Sequence, residues 1–266
     1  MKKFHVFGGA IDAEHVKTEN SSSDGKLHCH DKYEILYVIE GEGKCLIEGV
    51  KYPIKPRTVF VFSPLVYHAI YLDEGCTYDR TSVYFEEKSI AESVSDILKS
   101  FGKGNENASP VAFYRADALS DQISLLFERL ELSESFPDAE RAKFLSLLTS
   151  ELILFVSMAS REDVAFDEDE LGARVISYLN EYAGKDISLD RLARRFFVSK
   201  YYLCRAFKKH NGISVRGYIN RKRIMYAKQL IDAGETASRA AYQVGYGDYS
   251  AFYRAYVKLV GKSPTE

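Results

Sequence analysis

The chain has 266 residues, 46% of them hydrophobic, and its 36 basic and 38 acidic residues leave a formal net charge of −2. That length suits two cores, at roughly 100–200 residues per domain. The longest apolar stretch, Leu152 to Val156, falls far short of the ~20 residues that span a bilayer, and MKKFHVFGGA lacks the apolar run and cleavage site of a leader, so membrane and secreted classes are excluded and a cytoplasmic location is expected.

Residues 26–86 read as strands. Glu34–Ile39, Lys44–Ile47, Thr58–Phe62 and Arg80–Phe85 are short β-rich runs divided by Gly- or Pro-containing turns, at the spacing of a sandwich or small barrel. Cys29, Cys45, Cys76 and Cys204 are scattered without a C-x-x-C pair, which suits reduced thiols and neither a disulfide frame nor a zinc cage. From Ser89 the period becomes helical, predicting helices over Ile90–Ser100, Ala118–Leu132 and Asp138–Ser160. In the last of these Phe144, Leu147, Leu148, Leu152, Phe155 and Val156 form one apolar stripe, packed on its own barrel or shared with a second copy of the chain; a homodimer is expected. The acidic run Asp167–Glu170 marks a linker, dividing the chain into a domain over 1–165, a linker over 166–170 and a domain over 171–266.

Charge separates sharply at that linker. Residues 171–266 hold 18 basic and 7 acidic residues, a net of +11, and the remainder carries −13. A surplus of that size attracts a polyanion whatever its sequence. Ser188, Ser199, Ser214 and Asp248 stand where first-turn N–H groups need an acceptor, and Gly184, Gly212, Gly234, Gly245 and Gly261 where helices stop, predicting about seven short helices.

This basic domain is built twice. Ala193 matches Ala241 at an offset of 48; after one extra residue near Gly247, Leu203 matches Phe252, Arg205 Arg254, Ala206 Ala255, Phe207 Tyr256, Gly212 Gly261 and Ser214 Ser263. A small residue where two helices cross, then a capped helix with an i, i+4 apolar pair, is the packing pattern of a helix-turn-helix. The outer faces would carry Lys200, Tyr201, Cys204, Arg205 and Lys208 in one copy, and Tyr249, Ser250, Tyr253 and Arg254 in the other. Tyr202 and Tyr246 read as half-buried packing. A long helix, about Val215 to Ala233, joins the copies and carries Arg221, Lys222 and Arg223 near its start. On such a spacer two readers can enter successive major-groove faces about one helical turn, ~34 Å, apart.

The stretch from Ile176 to Pro264 resembles the AraC/XylS DNA-binding domain. The matching features are S-L-x-x-L-A at Ser188–Ala193, S-x-x-Y-L-x-R-x-F-K-K at Ser199–Lys209, G-I-S at Gly212–Ser214, Y-I-x-x-x-R-I-x-x-A-x-x-L-I at Tyr218–Ile231, V-G-Y at Val244–Tyr246 and G-K-S-P at Gly261–Pro264. The resemblance implies a transcription regulator that contacts double-stranded DNA and RNA polymerase as an activator. It places base contacts on Tyr201, Cys204 and Arg205 and on Tyr249, Ser250, Tyr253 and Arg254. Departures are Ala237 and Ala240 where bulkier aliphatics are common, which suggest a looser second copy, and Val257 where Lys is frequent.

In the first half, HCHDKYEILYVIEG (His28 to Gly41) is similar to the first cupin motif, and His68 to the histidine of the second. Projecting from strands by the period-two rule, His28, His30, Glu34 and His68 would line a ligand pocket. Three imidazoles and a carboxylate also suit Fe, Mn, Zn or Ni. Pro56-Arg57 stands where that motif has Gly-Asp, however, so no metal or cofactor is expected and the ligand is read as a small polar effector such as a sugar. The expected whole is multidomain α+β: a cupin-like β-barrel followed by helices, then an all-α domain with two helix-turn-helix units on a long helix. Its rivals are a metal-dependent cupin enzyme fused to a DNA-binding domain, disfavoured because no general acid or base stands beside the four ligand candidates, and an effector-independent DNA binder.

Overall fold

The computed structural model describes residues 2–8, 10–21, 25, 27–101, 111–113, 118–158, 171–181 and 188–265. They fall into two compact units, the first built from 1–26, 32–46 and 51–165 and the second from 27–31, 47–50 and 166–266. The acidic run 167–170 and Gly184 lie outside the described residues. Among the described residues no helix is long and apolar enough to cross a membrane.

The first unit holds a six-stranded sheet in the order β1 (Lys2–Gly8), β2 (Ile11–Ser21), β8 (Cys76–Phe85), β3 (Tyr33–Glu40), β6 (Thr58–Phe62) and β9 (Val111–Phe113). A three-stranded sheet runs β5 (Val50–Ile54), β4 (Gly43–Ile47) and β7 (His68–Leu72). All the expected strands are present, β6 with the predicted ends, but β1 and β2 begin well upstream of residue 26, where the strands were expected to start. Their signal is faint because charged residues alternate with few apolar ones: Ile11 and Ala13 are buried, while Asp12 and Glu14, which alternate with them, are half-exposed.

Register decides what each sheet face holds. β3 lies antiparallel between β6 and β8, with Glu34 opposite both Phe62 and Tyr84, and Ile35 opposite Val61 and Val83. Period-two alternation then sends Ile35, Tyr37, Val59, Val61, Val83 and Phe85 into one core with the helices α1 (Glu92–Ser100), α2 (Ala118–Leu132) and α3 (Asp138–Met158). Glu34, Phe60, Phe62, Ser82 and Tyr84 belong to the opposite face. All five residues of β6 are buried, as a strand covered on both sides requires.

Helix α2 keeps its predicted ends. Along α3 the apolar residues divide into two faces: Leu145, Leu148, Leu152, Ile153 and Val156 are buried, whereas Leu147 is 70% exposed, Leu154 42% and Met158 60%. The single stripe read from the sequence is thus corrected, Leu147 standing on the side away from the core.

The second unit contributes α4 (Leu171–Glu181), α5 (Leu189–Arg195), α6 (Lys200–Asn211), α7 (Val215–Asp232), α8 (Ala237–Gln243) and α9 (Tyr249–Val260), six helices among the described residues against about seven expected. The expected serine and aspartate caps all form; Thr236, not anticipated, caps α8 by accepting from the Arg239 N–H. Gly212 and Gly261 end α6 and α9 in the left-handed conformation, at φ 70° and 84°, where a side chain would be strained. The second copy has its own core of Ile224, Ala227, Ala240, Ala241, Val244, Phe252 and Tyr256, in which Ala240 is fully buried.

Candidate functional site

In the second unit the sequence repeat becomes a repeat in space. Helices α5 and α8 are both seven residues long, α6 and α9 both twelve, and the turns between them span 196–199 and 244–248. The longer second turn is where the matching register slips by one. Ala193 and Ala241 are buried where the paired helices meet, and Leu203, Phe207, Phe252 and Tyr256 face inward.

Each twelve-residue helix is fastened at its start. Ser199 Oγ accepts from the Tyr202 N–H at 3.1 Å, and the Asp248 carboxylate accepts from the Ser250 and Ala251 N–H groups at 3.1 and 2.9 Å. Such a cap contributes about 1 kcal/mol and leaves the outer face free for other work. On that face Tyr201 is 76% exposed, and Arg205, Lys208, Ser250 and Arg254 are exposed, with Tyr249 and Tyr253 less so. Cys204 is half-buried. Among the described residues no carboxylate pairs with Arg205, Lys208 or Arg254. Lys200 does have a partner, Asp190 at 2.9 Å, whose carboxyl it holds below the ordinary range by a hydrogen bond and by its charge.

Of the two tyrosines expected as half-buried packing, one departs. Tyr202, read as half-buried packing, is exposed because it follows the cap on the solvent side of α6. Tyr246 is half-buried as expected, and its hydroxyl donates to Asn220 Oδ1. Arg223 turns toward the α8–α9 turn, where a Cβ added at Gly245 would come within 3.4 Å of its guanidinium. The segments 27–31 and 47–50 pack in this unit through charges: Glu48 accepts from Tyr218 Oη at 2.8 Å and from Lys222 Nζ at 2.7 Å, and Lys228 pairs with both Asp31 and Asp232 at 2.6 Å.

In the first unit two of the expected ligand residues, Glu34 and His68, come together. Glu34 and His68 are almost fully buried, and His68 Nε2 lies 3.4 Å from Glu34 Oε2, linking β3 of one sheet to β7 of the other. His68 Nδ1–H donates to the Val66 carbonyl at 3.0 Å, which leaves Nε2 directed at the carboxylate, and the Phe62 ring stacks on the imidazole at 3.9 Å. His28 and His30 lie outside β3. They belong to the segment 27–31, where their rings are 6.4 Å apart, His28 exposed and His30 half-buried. The expectation that all four project from strands is therefore corrected in part: His30 is on no strand, and His28 forms only an isolated bridge ahead of β3.

Around Glu34 the sheet assembles polar groups that sequence reading missed. Arg80 donates to Ser82 Oγ at 2.7 Å and to Glu14 Oε1 at 3.2 Å. Burial, with Glu34's charge adding to it, pushes the Tyr84 phenol well above its usual range. Tyr78 is raised mainly by burial as well, and its hydroxyl is buried without a hydrogen-bond partner among the described residues. An orphaned buried hydroxyl costs ~1–3 kcal/mol, so it calls for a water or a ligand atom. The alternation Tyr78, Arg80, Ser82, Tyr84 along β8 was the available signal, hidden because only Arg80–Phe85 stood out as a strand.

The pattern of known proteins fits both units. An AraC-like ligand binding domain matches residues 9–153, more than half the chain, and a helix-turn-helix domain matches 192–266. The chain belongs to the AraC family. AraC-family regulators are DNA-binding transcription regulators with a ligand-binding domain, and the two units here carry those two parts. Among curated AraC-family relatives, it is 25% identical to the uncharacterized HTH-type transcriptional regulator YbfI of Bacillus subtilis over 84% of this chain and 79% of that one. It is 23% identical to the HTH-type transcriptional activator RhaS of an Enterobacter species over 90% of this chain and 86% of that one. Among solved structures, ToxT of Vibrio cholerae covers 96% of each chain at 16% identity with a TM-score of 0.37.

Proposed function

We propose that this AraC-family regulator reads specific duplex sequences with α6 and α9, activates transcription through RNA polymerase, and responds to a small polyhydroxylated effector such as a sugar held in the first unit. One observation carries the DNA part: two capped twelve-residue helices, equivalent in sequence and shape, each present at their sixth position an exposed arginine without an acidic partner. Unpaired guanidiniums suit contacts to guanine or to backbone phosphate. Lys200, Tyr201, Cys204, Lys208, Arg223, Tyr249, Ser250 and Tyr253 are the further DNA contacts in this reading, and His28, His30, Glu34 and His68 the effector contacts. The mixture of carboxylate, imidazole, guanidinium and phenol around Glu34 supports the effector class, because each hydroxyl of a sugar both donates and accepts. A homodimer forms across the exposed leucines of α2 and α3.

The deciding experiment selects bound duplexes from a random pool with the full chain, with and without a panel of sugars. Enrichment of one motif, at a specific-to-nonspecific ratio of at least ~10³, is expected, with a change in affinity when the effector is present. Equal retention of all duplexes refutes the sequence-reading role. Arg205→Ala should weaken binding to the selected motif by ~1–3 kcal/mol and relax preference at one base pair.

A further inference from the structure

Helices α7 and α9 enclose a groove of about 480 Å³ that takes in Arg254 from the outer face of α9. Gly217, Asn220 and Arg221 line it from α7, and Ala251, Arg254 and Lys258 from α9. Its charge is one-sided: three cations face it, and none of its lining residues is acidic. Among the described residues no carboxylate pairs with Arg254 or Lys258.

Three local details fit an anion. Tyr246 O–H donates to Asn220 Oδ1, which settles the orientation of that amide and leaves its NH₂ as a donor for something else. Gly217 and Ala251 keep side-chain bulk out of the space. An added Cβ at Gly217 would meet only Ser214 Oγ, at 3.1 Å, so no neighbouring helix demands a glycine there. Arg254 stands beside Lys258 one turn on, and Arg221 completes the set from the other helix, so cations approach from both walls.

We infer that this groove seats a phosphate group, held by Arg221, Arg254 and Lys258 with Asn220 as a neutral donor. Guanidinium pairs and an amide match the geometry of phosphate oxygens, and the groove admits a phosphate with its sugar. Arg254 then holds a phosphate where the family pattern made it a base reader, leaving base choice in the second copy to Tyr249, Ser250 and Tyr253. The inference rests on the proposed reading of DNA by α6 and α9 when the phosphate is that of the DNA backbone; a free phosphorylated metabolite carries the same group.

Two arms on the full-length protein separate these sources. In the first, the affinity of the wild type and of Arg221→Gln, Arg254→Gln and Lys258→Gln for duplex DNA is measured against salt. A backbone phosphate in the groove predicts that each variant lowers the slope of log affinity on log salt by about one and weakens all sequences alike, unlike Arg205→Ala. In the second, inorganic pyrophosphate is titrated without DNA at constant ionic strength into the wild type and Ala251→Glu, which puts a carboxylate in the groove. A free-phosphate source predicts unchanged salt slopes, with saturable pyrophosphate binding that falls about tenfold in Ala251→Glu. Unchanged slopes together with no saturable pyrophosphate binding overturn the inference. Should Ala251→Glu lose its helical circular dichroism, pyrophosphate binding by Lys258→Gln, an exposed change, decides the second arm. A wild type without sequence preference would refute gene regulation, yet slopes on any duplex and the titration would still report on the groove.

Discussion

Phe197 stands in the turn between α5 and α6 at φ 54°, in left-handed space, with its ring 93% exposed. The equivalent position of the other copy, 48 residues on, is Gly245 at φ 86°. A residue with a Cβ pays roughly 1–2 kcal/mol for that conformation. Replacing Phe197 with glycine removes the strain, while the added freedom of the unfolded chain costs about 0.4–1 kcal/mol. So exposed a ring contributes little burial, and the balance for Phe197→Gly is a stabilisation of about 0.5–1 kcal/mol. For a unit of this size that corresponds to roughly 2–6 °C in the unfolding midpoint. Thermal unfolding by circular dichroism, with amide exchange in α5 and α6 to locate the effect, measures it. The reciprocal change, Gly245→Ala, should destabilise, since it adds the strain and brings a Cβ within 3.4 Å of the Arg223 guanidinium. A midpoint that falls for Phe197→Gly, or faster exchange in α5 and α6, would refute the reasoning by showing that the ring supports the fold.

Leu147 and Leu154 face outward on α3, so Leu147→Glu with Leu154→Glu should convert the proposed dimer into monomers without loss of helix content, as read by sedimentation; a dimer of unchanged strength would place the interface elsewhere. Tyr78→Phe removes a buried hydroxyl that has no partner among the described residues, and the effector-free protein should gain about 1 kcal/mol in denaturant unfolding, whereas a loss would mean that a bound water already satisfies the group. Asp31 is driven upward by burial, but the hydrogen bond and charge of Lys228 outweigh this and its carboxyl lies below the usual value of 3.8. A depressed carboxylate stabilises the fold above its unfolded pKa and loses that contribution as pH falls through the folded one, so Lys228→Met should flatten the loss of stability below about pH 4; an acid limb as steep as the wild type's would assign that limb to other carboxylates.

Much of the second unit was legible because its determinants are local. Ser199 and Asp248 cap the turns beside them, Gly212 and Gly261 stop their own helices, and the i, i+4 pairs Leu203–Phe207 and Phe252–Tyr256 define an inner face from periodicity alone. Duplication supplied a second measurement of each. The charge asymmetry needed only counting. In the first unit the strands β3 and β6 were clear from their β-branched and aromatic runs, and the resemblance to cupins supplied Glu34 and His68.

What sequence could not supply was convergence across elements. Tyr84 stands opposite Glu34, and Arg80 and Tyr78 share its sheet face, only because β8 pairs with β3 in one register, and a slip of a single residue would turn them into the helical core. The outward face of α3 became visible only once its other face had found a core, since a helix with apolar residues all round does not declare which side is buried. The same holds for Tyr202, and for the groove where Arg221 and Arg254 approach from helices far apart in the chain. Spacing along the chain determines which residues share a helix or strand face, through the fixed geometry of the backbone; long-range pairing and packing decide which of those faces meet.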